Sequence, residues 1–154
     1  MLHHEPPAPA YAPIDLAPAH QALRRLRVFL AEEDPSVRRL LAKMLREDGY
    51  EVLESADGSE LLDRLATSLL EDGPFGRFDM DIIIADTCMP GCRGIDVLAG
   101  LRQAAWRTPV ILMGGRPDAR FRARARRLGV AAFLSKPIDL RRLHDALERV
   151  TRPC

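Results

Sequence analysis

The sequence predicts an α/β domain in which a five-stranded parallel sheet carries helices on both faces. Five short apolar runs alternate with five segments whose apolar residues recur every three or four positions. This alternation is typical of β-α-β units, and their right-handed crossovers restrict the topology to a doubly wound sheet. The run at residues 82–85 is unbroken and rich in β-branched residues, which predicts a central strand covered on both faces.

Each predicted strand is a short apolar run that ends in polar, glycine or proline residues. The strands are expected at residues 28–31, 50–53, 82–85, 110–113 and 131–134. Each run precedes a segment with the three-and-four spacing of an amphipathic helix. The helices are expected at residues 35–47, 57–69, 95–105, 118–128 and 140–150, and a loop containing glycine and proline is expected at residues 71–77.

The composition fits a single globular domain and argues against a membrane or nucleic-acid-binding protein. The chain has 154 residues, 47% of them apolar, which is enough to fill one core. A formal net charge of +1 gives no basic excess, no apolar run approaches the ~20 residues that span a bilayer, and the N-terminus lacks a secretory signal. Three cysteines, an odd number, predict no disulfide framework, so we expect a cytoplasmic protein.

The chain divides into one domain and two terminal segments. Residues 1–25 are rich in proline and alanine and predict a flexible tail, residues 26–151 predict the folded domain, and residues 152–154 form a short C-terminal tail. His3 and His4 are adjacent in the tail and are expected to be solvated. Only four residues follow Val150, so no output domain is expected after the sheet.

Charged residues follow three of the predicted strands. Glu32 and Glu33 come after the first strand, Asp86 after the third and Lys136 after the fifth. In a doubly wound sheet these strand ends lie on one edge, where ligands bind, so the acids and the lysine are expected to converge. Clustered carboxylates attract a hard divalent cation, and Mg²⁺ suits a site with few protein ligands. The alternative is that each is an independent turn residue.

Residues 28–150 resemble the receiver domain of two-component response regulators. Each motif is weak singly, but together at these spacings they are specific. The motifs are Ala31-Glu32-Glu33-Asp34-Pro35, Gly49-Tyr50-Glu51-Val52, Ala56-Asp57-Gly58, Asp81-Ile82-Ile83-Ile84-Ala85-Asp86, Met89-Pro90-Gly91, Gly94, Thr108-Pro109-Val110-Ile111 and Lys136-Pro137. The resemblance implies a flavodoxin-like fold with strand order 2-1-3-4-5. It also implies transfer of a phosphoryl group from a phosphohistidine to an aspartate, with Mg²⁺ required.

The resemblance assigns a role to each charged residue at the predicted edge. Asp86 matches the phosphoacceptor, whose carboxylate acts as a nucleophile and forms an acyl phosphate. Lys136 matches the lysine that contacts the phosphoryl oxygens. Glu32 and Glu33 match the acid pair that binds the metal with Asp86, and the backbone carbonyl of Cys88 would be a further metal ligand.

The sequence departs from the family pattern at two functional positions. Glu33 stands where the family usually has Asp, and Mg²⁺ demands near-ideal geometry at about 2.0–2.1 Å, so weak metal binding or compensation by Asp34 is expected. Gly114 replaces the Thr or Ser whose hydroxyl binds the phosphoryl group, and Phe133 replaces the commoner Tyr as the switch residue. We therefore expect a blunted or biased switch, with open space beside Gly114 into which Phe133 packs.

The resemblance also implies partners. The phosphoryl donor would be a sensor histidine kinase or a phosphotransfer protein, and the fourth helix, fifth strand and fifth helix would form an output face that contacts a downstream protein or a second copy of the chain. The predicted fourth helix and the turn before it are basic, which favours an acidic protein partner over nucleic acid because the one aromatic residue among the arginines, Phe121, is expected to be an ordinary packing residue. The basic residues are Arg116, Arg120, Arg122, Arg124, Arg126 and Arg127. Cys88 and Cys92 are expected to be ordinary free thiols.

Three other functions can be weighed against a phosphoacceptor. A binding module of the same fold that does not need phosphorylation is favoured by Glu33 and Gly114. A phosphohydrolase of the haloacid dehalogenase type would need a second Asp two residues after Asp86, where Cys88 stands. A flavin-binding electron carrier would need a phosphate-cradling loop after the first strand, where three acidic residues would repel phosphate.

Overall fold

The computed structural model describes residues 25–72 and 79–152, which form a five-stranded parallel sheet with helices on both faces. The strand order is β2-β1-β3-β4-β5, so the predicted fold and strand order are confirmed. The elements are β1 (Arg27–Ala31), α1 (Pro35–Glu47), β2 (Glu51–Ser55), α2 (Ser59–Asp72), β3 (Ile82–Asp86), α3 (Gly94–Gln103), β4 (Val110–Gly114), α4 (Ala119–Arg127), β5 (Ala132–Ser135) and α5 (Leu140–Thr151). The predicted tail at residues 1–25 lies outside the described residues, except for Arg25. Most of the predicted loop at 71–77 and the last two residues of the predicted C-terminal tail also lie outside them.

Several elements begin or end at other residues than the apolar runs predicted. The strand β3 includes Asp86 and β4 includes Gly114, because the backbone ladder continues past the last apolar side chain. The strand β5 lies one residue later than expected, and α2 extends through Asp72, into the segment where a loop was predicted. Asp118 lies just outside α4 as its N-cap and accepts a hydrogen bond from the Phe121 N–H at 2.7 Å.

Alternation along the strands sends side chains into two separate cores, one on each face of the sheet. Phe29 and Ile83 face the core beneath α2, α3 and α4, whereas Leu30 and Ile84 face the core beneath α1 and α5. All five residues of β3 are buried. Because both faces of the sheet are covered, the charged ends of β1, β3 and β5 reach solvent only at the carboxyl edge of the sheet.

Candidate functional site

The carboxyl edge of the sheet brings together Glu32, Asp86 and Lys136. The Lys136 Nζ lies 2.6 Å from Asp86 Oδ2 and 2.9 Å and 3.1 Å from Glu32 Oε2 and Oε1. Glu32 follows β1, Asp86 ends β3 and Lys136 follows β5, with an offset of 104 residues between the first and the last. The parallel sheet therefore assembles one ionic cluster from three distant parts of the chain.

Both carboxylates of this cluster are buried, and Lys136 is the cation that they share. Glu32 is 0% exposed and Asp86 4% exposed, whereas the Lys136 side chain is 31% exposed. Burial alone would lower the pKa of Lys136, but its hydrogen bonds and Coulombic attraction to Asp86 and Glu32 outweigh that effect and raise it. The ammonium therefore stays protonated at neutral pH, and the formal charges leave one negative charge in excess.

The four carboxylate oxygens of the cluster are bonded unequally. Asp86 Oδ1 accepts from the Cys88 N–H at 3.0 Å and Oδ2 accepts from Lys136. Glu32 Oε1 accepts from the Asp34 N–H at 3.0 Å and from Lys136. Glu32 Oε2 is buried and lies close to the ammonium, but without the geometry of a hydrogen bond, so it has no hydrogen-bond partner among the described residues. A buried oxygen without a donor is costly, and it suits a site that receives a cation.

The second acidic residue of the predicted pair, Glu33, forms no ion pair with Lys136 among the described residues. Glu33 is exposed, and its backbone carbonyl accepts from Arg38 Nη1 at 3.3 Å. Asp34 cannot simply replace it, because its carboxylate caps α1 by accepting from the Ser36 and Val37 N–H groups. Hydrogen bonds from the Val37 and Ser36 backbone lower the pKa of Asp34 and hold it ionised in this role.

The oxygen-rich donor set fits a hard divalent cation. Glu32 and Asp86 present carboxylate oxygens, which Mg²⁺ prefers, and Glu32 Oε2 accepts no hydrogen bond from the described residues. No three His, Cys, Asp or Glu side chains of the described residues are grouped so that they could hold a metal ion together. A cation here would therefore use few protein side chains and keep several waters.

The end of β4 differs from the prediction. Gly114 is not beside open space, and the expectation that Phe133 packs into such a space is wrong, because the Thr87 side chain fills it. A Cβ built on Gly114 would overlap Thr87 Oγ1 and lie 3.1 Å from Thr87 Cβ and Cγ2. The Phe133 ring instead packs edge-on to Phe121, with ring centroids 5.8 Å apart and an angle of 72°. The register pairs Asp86 with Met113, so a prediction of that register could have placed Thr87 beside Gly114.

A cavity of about 300 Å³ lies beside Thr87 and Gly115, near the end of β4. Thr87 and Cys88 form the side nearest to Asp86, and the aromatic pair forms another side. Other lining residues are Arg93, Ile95, Gly115, Arg116, Pro117 and Asp118. The cavity therefore lies between the candidate acceptor loop and α4.

The loop after Asp86 is fixed by close backbone packing and carries two free thiols. A Cβ on Gly94 would lie 2.6 Å from the Asp86 carbonyl oxygen, so only glycine allows α3 to begin this close to β3. Cys88 is exposed and Cys92 partly buried, and both are free. Burial raises the pKa of Cys92, which disfavours the reactive thiolate.

Comparison with known proteins agrees with the fold. The family model described as response regulator receiver domain matches residues 28–148, and the chain belongs to that family. This is a family of signalling domains of two-component systems. None of the helices among residues 25–72 and 79–152 is both long enough and apolar enough to cross a membrane.

The curated relatives are longer regulators. The transcriptional regulatory protein TcrA of Mycobacterium tuberculosis is 31% identical over 127 residues, which cover 82% of this chain and 46% of the relative. CpxR of Escherichia coli is 31% identical over 126 residues, which cover 82% of this chain and 49% of the relative. The chain thus spans about half the length of these relatives.

Solved structures of similar chains are receiver domains of comparable length. The chemotaxis response regulator CheY4 of Vibrio cholerae is 26% identical with a TM-score of 0.66, over 82% of this chain and 99% of that one. The signal receiver domain of an HD domain-containing protein from Pseudomonas fluorescens is 27% identical with a TM-score of 0.69, over 82% and 94%.

Proposed function

We propose that Asp86 accepts a phosphoryl group from a phosphohistidine of a sensor histidine kinase or a phosphotransfer protein. The observation that carries the proposal is the way the Asp86 carboxylate is held. Its Oδ2 accepts from Lys136 at 2.6 Å and its Oδ1 accepts from the Cys88 N–H at 3.0 Å, at the carboxyl edge of a rigid strand. Such a carboxylate is oriented and placed where ligands reach a doubly wound sheet, as a nucleophile must be.

The transfer needs positioning and charge neutralisation more than covalent chemistry from the protein. An Asp86 oxygen attacks phosphorus as the bond from phosphorus to the donor imidazole nitrogen breaks, and the nitrogen keeps the electron pair. Lys136 already lies against Asp86 and can follow the developing charge onto the phosphoryl oxygens. The raised pKa of Lys136 keeps it cationic throughout this step.

The same proposal includes Mg²⁺ as a cofactor. Glu32 and Asp86 would hold it with their carboxylates, and the Cys88 backbone carbonyl would be a further ligand, with Glu33 close in sequence but exposed to solvent. When bound, the cation neutralises charge on the phosphoryl oxygens. Glu32 Oε2 supports this assignment, because it accepts no hydrogen bond from the described residues and its one ionic partner is Lys136, at 2.9 Å.

We assign the output to the face formed by α4, β5 and α5. The α4 residues Arg120, Arg122, Arg126 and Arg127 are exposed, so the face is basic and suits an acidic protein partner. A groove of about 410 Å³ runs along β5 and is lined by Phe133, Arg142 and Arg149, among others. Because Asp145 also lines this groove, both signs of charge are present, as a homodimer through the same face would need.

Intact mass spectrometry after incubation with acetyl phosphate, with and without Mg²⁺, tests the acceptor. Wild type is expected to gain one phosphoryl group in the presence of Mg²⁺, and Asp86→Asn is expected to gain none. Asp63→Asn is the matched control, since Asp63 is an exposed aspartate on α2, and it should react like wild type. An adduct of equal yield on Asp86→Asn would show that another residue is the acceptor.

A second candidate is a binding module of this fold that works without phosphorylation. It is favoured by the exposed position of Glu33 and by the direct contact of Lys136 with both buried carboxylates, which neutralises one of their two formal charges. Wild type that gains no adduct from acetyl phosphate or from a phosphorylated phosphotransfer protein would favour this reading. The α4 arginines would then be the first surface to mutate.

A further inference from the structure

Thr87 is fixed between the Asp86 carboxylate and the end of β4. The ladder pairs Asp86 with Met113, and the Thr87 N–H donates to the Met113 carbonyl at 2.7 Å, so position 87 lies beside position 114. On the other side, the Lys136 N–H donates to the Gly114 carbonyl at 2.7 Å. The backbones of residues 87, 114 and 136 are therefore tied together across three strand ends.

Only the Thr87 side chain explains why position 114 is glycine. The φ angle of Gly114 lies outside the left-handed region, so its backbone conformation is open to any residue. A Cβ at this position would nevertheless overlap Thr87 Oγ1 and lie 3.1 Å from Thr87 Cβ and Cγ2. The hydroxyl of Thr87 thus occupies the volume that a side chain at position 114 would fill.

The Thr87 hydroxyl has spare hydrogen-bonding capacity beside the acceptor. Its one hydrogen bond within the described residues is a long contact of 3.9 Å to Cys88 Sγ. The nearby Ser55 hydroxyl, in contrast, donates to the Asp57 carbonyl at 2.8 Å. Thr87 also lines the cavity of about 300 Å³, which gives its side chain room to change between staggered rotamers.

We infer that Thr87 is a phosphoryl-binding residue, whose hydroxyl donates a hydrogen bond to a phosphoryl oxygen on Asp86. In this chain the hydroxyl comes from the residue after the acceptor, and Gly114 leaves the room that it needs. The inference rests on the proposed function of Asp86. It assigns the hydroxyl donor that Gly114 lacks.

Three variants, Thr87→Val, Thr87→Ser and the exchange Thr87→Gly with Gly114→Thr, test the inference in the full chain. Adduct formation with acetyl phosphate and Mg²⁺ is followed by intact mass, and urea unfolding checks the fold of each variant. Thr87→Val keeps the volume but loses the hydroxyl, so its rate is expected to fall about ten-fold or more, as for loss of a hydrogen bond to a charged group. Thr87→Ser and the exchange keep a hydroxyl at this place and are expected to stay within about three-fold of wild type.

Each outcome separates this inference from the proposed function. A folded Thr87→Val variant that reacts at the wild-type rate would overturn the role of Thr87 and leave Asp86 as the acceptor. A slow exchange variant with a normal urea midpoint would also count against it, because a hydroxyl at position 114 would then fail to substitute. Wild type without any adduct would overturn both proposals together.

Discussion

The two halves of the site are held in different ways. On the acidic half, Glu32, Asp86 and Lys136 are joined by contacts of 2.6–3.1 Å, and both carboxylates are buried. On the hydroxyl half, the Thr87 hydroxyl makes one long hydrogen bond within the described residues, and Thr87 lies with Phe133 against a cavity of about 300 Å³. The first half is packed around one shared cation, whereas the second has free volume and a hydroxyl with a single weak hydrogen bond.

In the proposed function, the acidic half would serve phosphoryl transfer, and the hydroxyl half would respond to the transferred group. Under the proposed function, Asp86 must be oriented before the donor arrives, and its contacts with Lys136 and the Cys88 N–H would hold it in place. A group that responds to the new charge must be able to move, and a side chain with one weak bond and an adjoining cavity can do so at low cost. The substitution of Gly114 for a hydroxyl-bearing residue therefore changes the movable half and leaves the acidic half intact.

Lys136→Met should have the largest effect, because it leaves Glu32 and Asp86 buried without a cation. Removing one partner of a buried ion pair is strongly destabilising. Since Lys136 is 31% exposed, we expect a loss of about 2–4 kcal/mol in the free energy of unfolding, measured by urea titration at pH 7. The loss should shrink when Mg²⁺ is added, because the cation restores positive charge to the carboxylates.

Lys43→Met is the matched control, since the chain has only these two lysines. Lys43 lies on α1 with its side chain 75% exposed and its Nζ 3.8 Å from Glu47 Oε1. Its replacement is expected to cost less than about 0.5 kcal/mol. Equal losses for the two lysine variants would mean that the ionic cluster is no better held than the protein surface.

The second prediction compares Glu32 with its neighbour Glu33. Glu32→Gln should weaken Mg²⁺ binding about ten-fold or more, because it removes a buried ligand charge, and isothermal titration with Mg²⁺ measures the change. Glu33→Gln should weaken it by about three-fold or less, because Glu33 is exposed and would act at a distance. Equal effects of the two variants would place Glu33 in direct contact with the cation.

Most of the fold could be predicted from the sequence. The five apolar runs and their helical partners specify a doubly wound sheet, since period and length alone separate buried strands from amphipathic helices. Element ends were less predictable. The ladder runs on through Asp86 and Gly114, whose side chains are polar or absent, and apolar periodicity gives no signal at such positions.

The sequence predicted the part of the candidate site that is formed by charged residues at strand ends. Charged residues at three strand ends indicate convergence because the fold brings those ends together. The sequence alone did not distinguish Glu32 from Glu33, since burial of one and exposure of its neighbour depends on the path of the chain after β1. The role of Thr87 was missed because it depends on which atoms fill the space beside Gly114, a matter of packing between strands.

The smallest expected effect concerns the tether between α3 and α4, which borders the hydroxyl half. Asp96 on α3 accepts from Arg93 Nε at 2.9 Å and from Arg124 Nη2 on α4 at 3.2 Å. Partial burial would raise the pKa of Asp96, but these hydrogen bonds and charges outweigh it and lower the pKa below the ordinary value of 3.8. The folded state therefore binds fewer protons here than the unfolded state.

It follows that the stabilisation by Asp96 is fully present above the unfolded pKa and is lost as pH falls through the lower folded pKa. Asp96→Asn should cost at most about 1 kcal/mol at pH 7 because the ion pairs are exposed, and the difference from wild type should be smaller at pH 3. Urea titrations at both pH values measure this, with Asp63→Asn as the control that shows no such difference. A loss as large as that of Lys136→Met would contradict the comparison, because α4 would then be held as firmly as the ionic cluster and could not respond to the site.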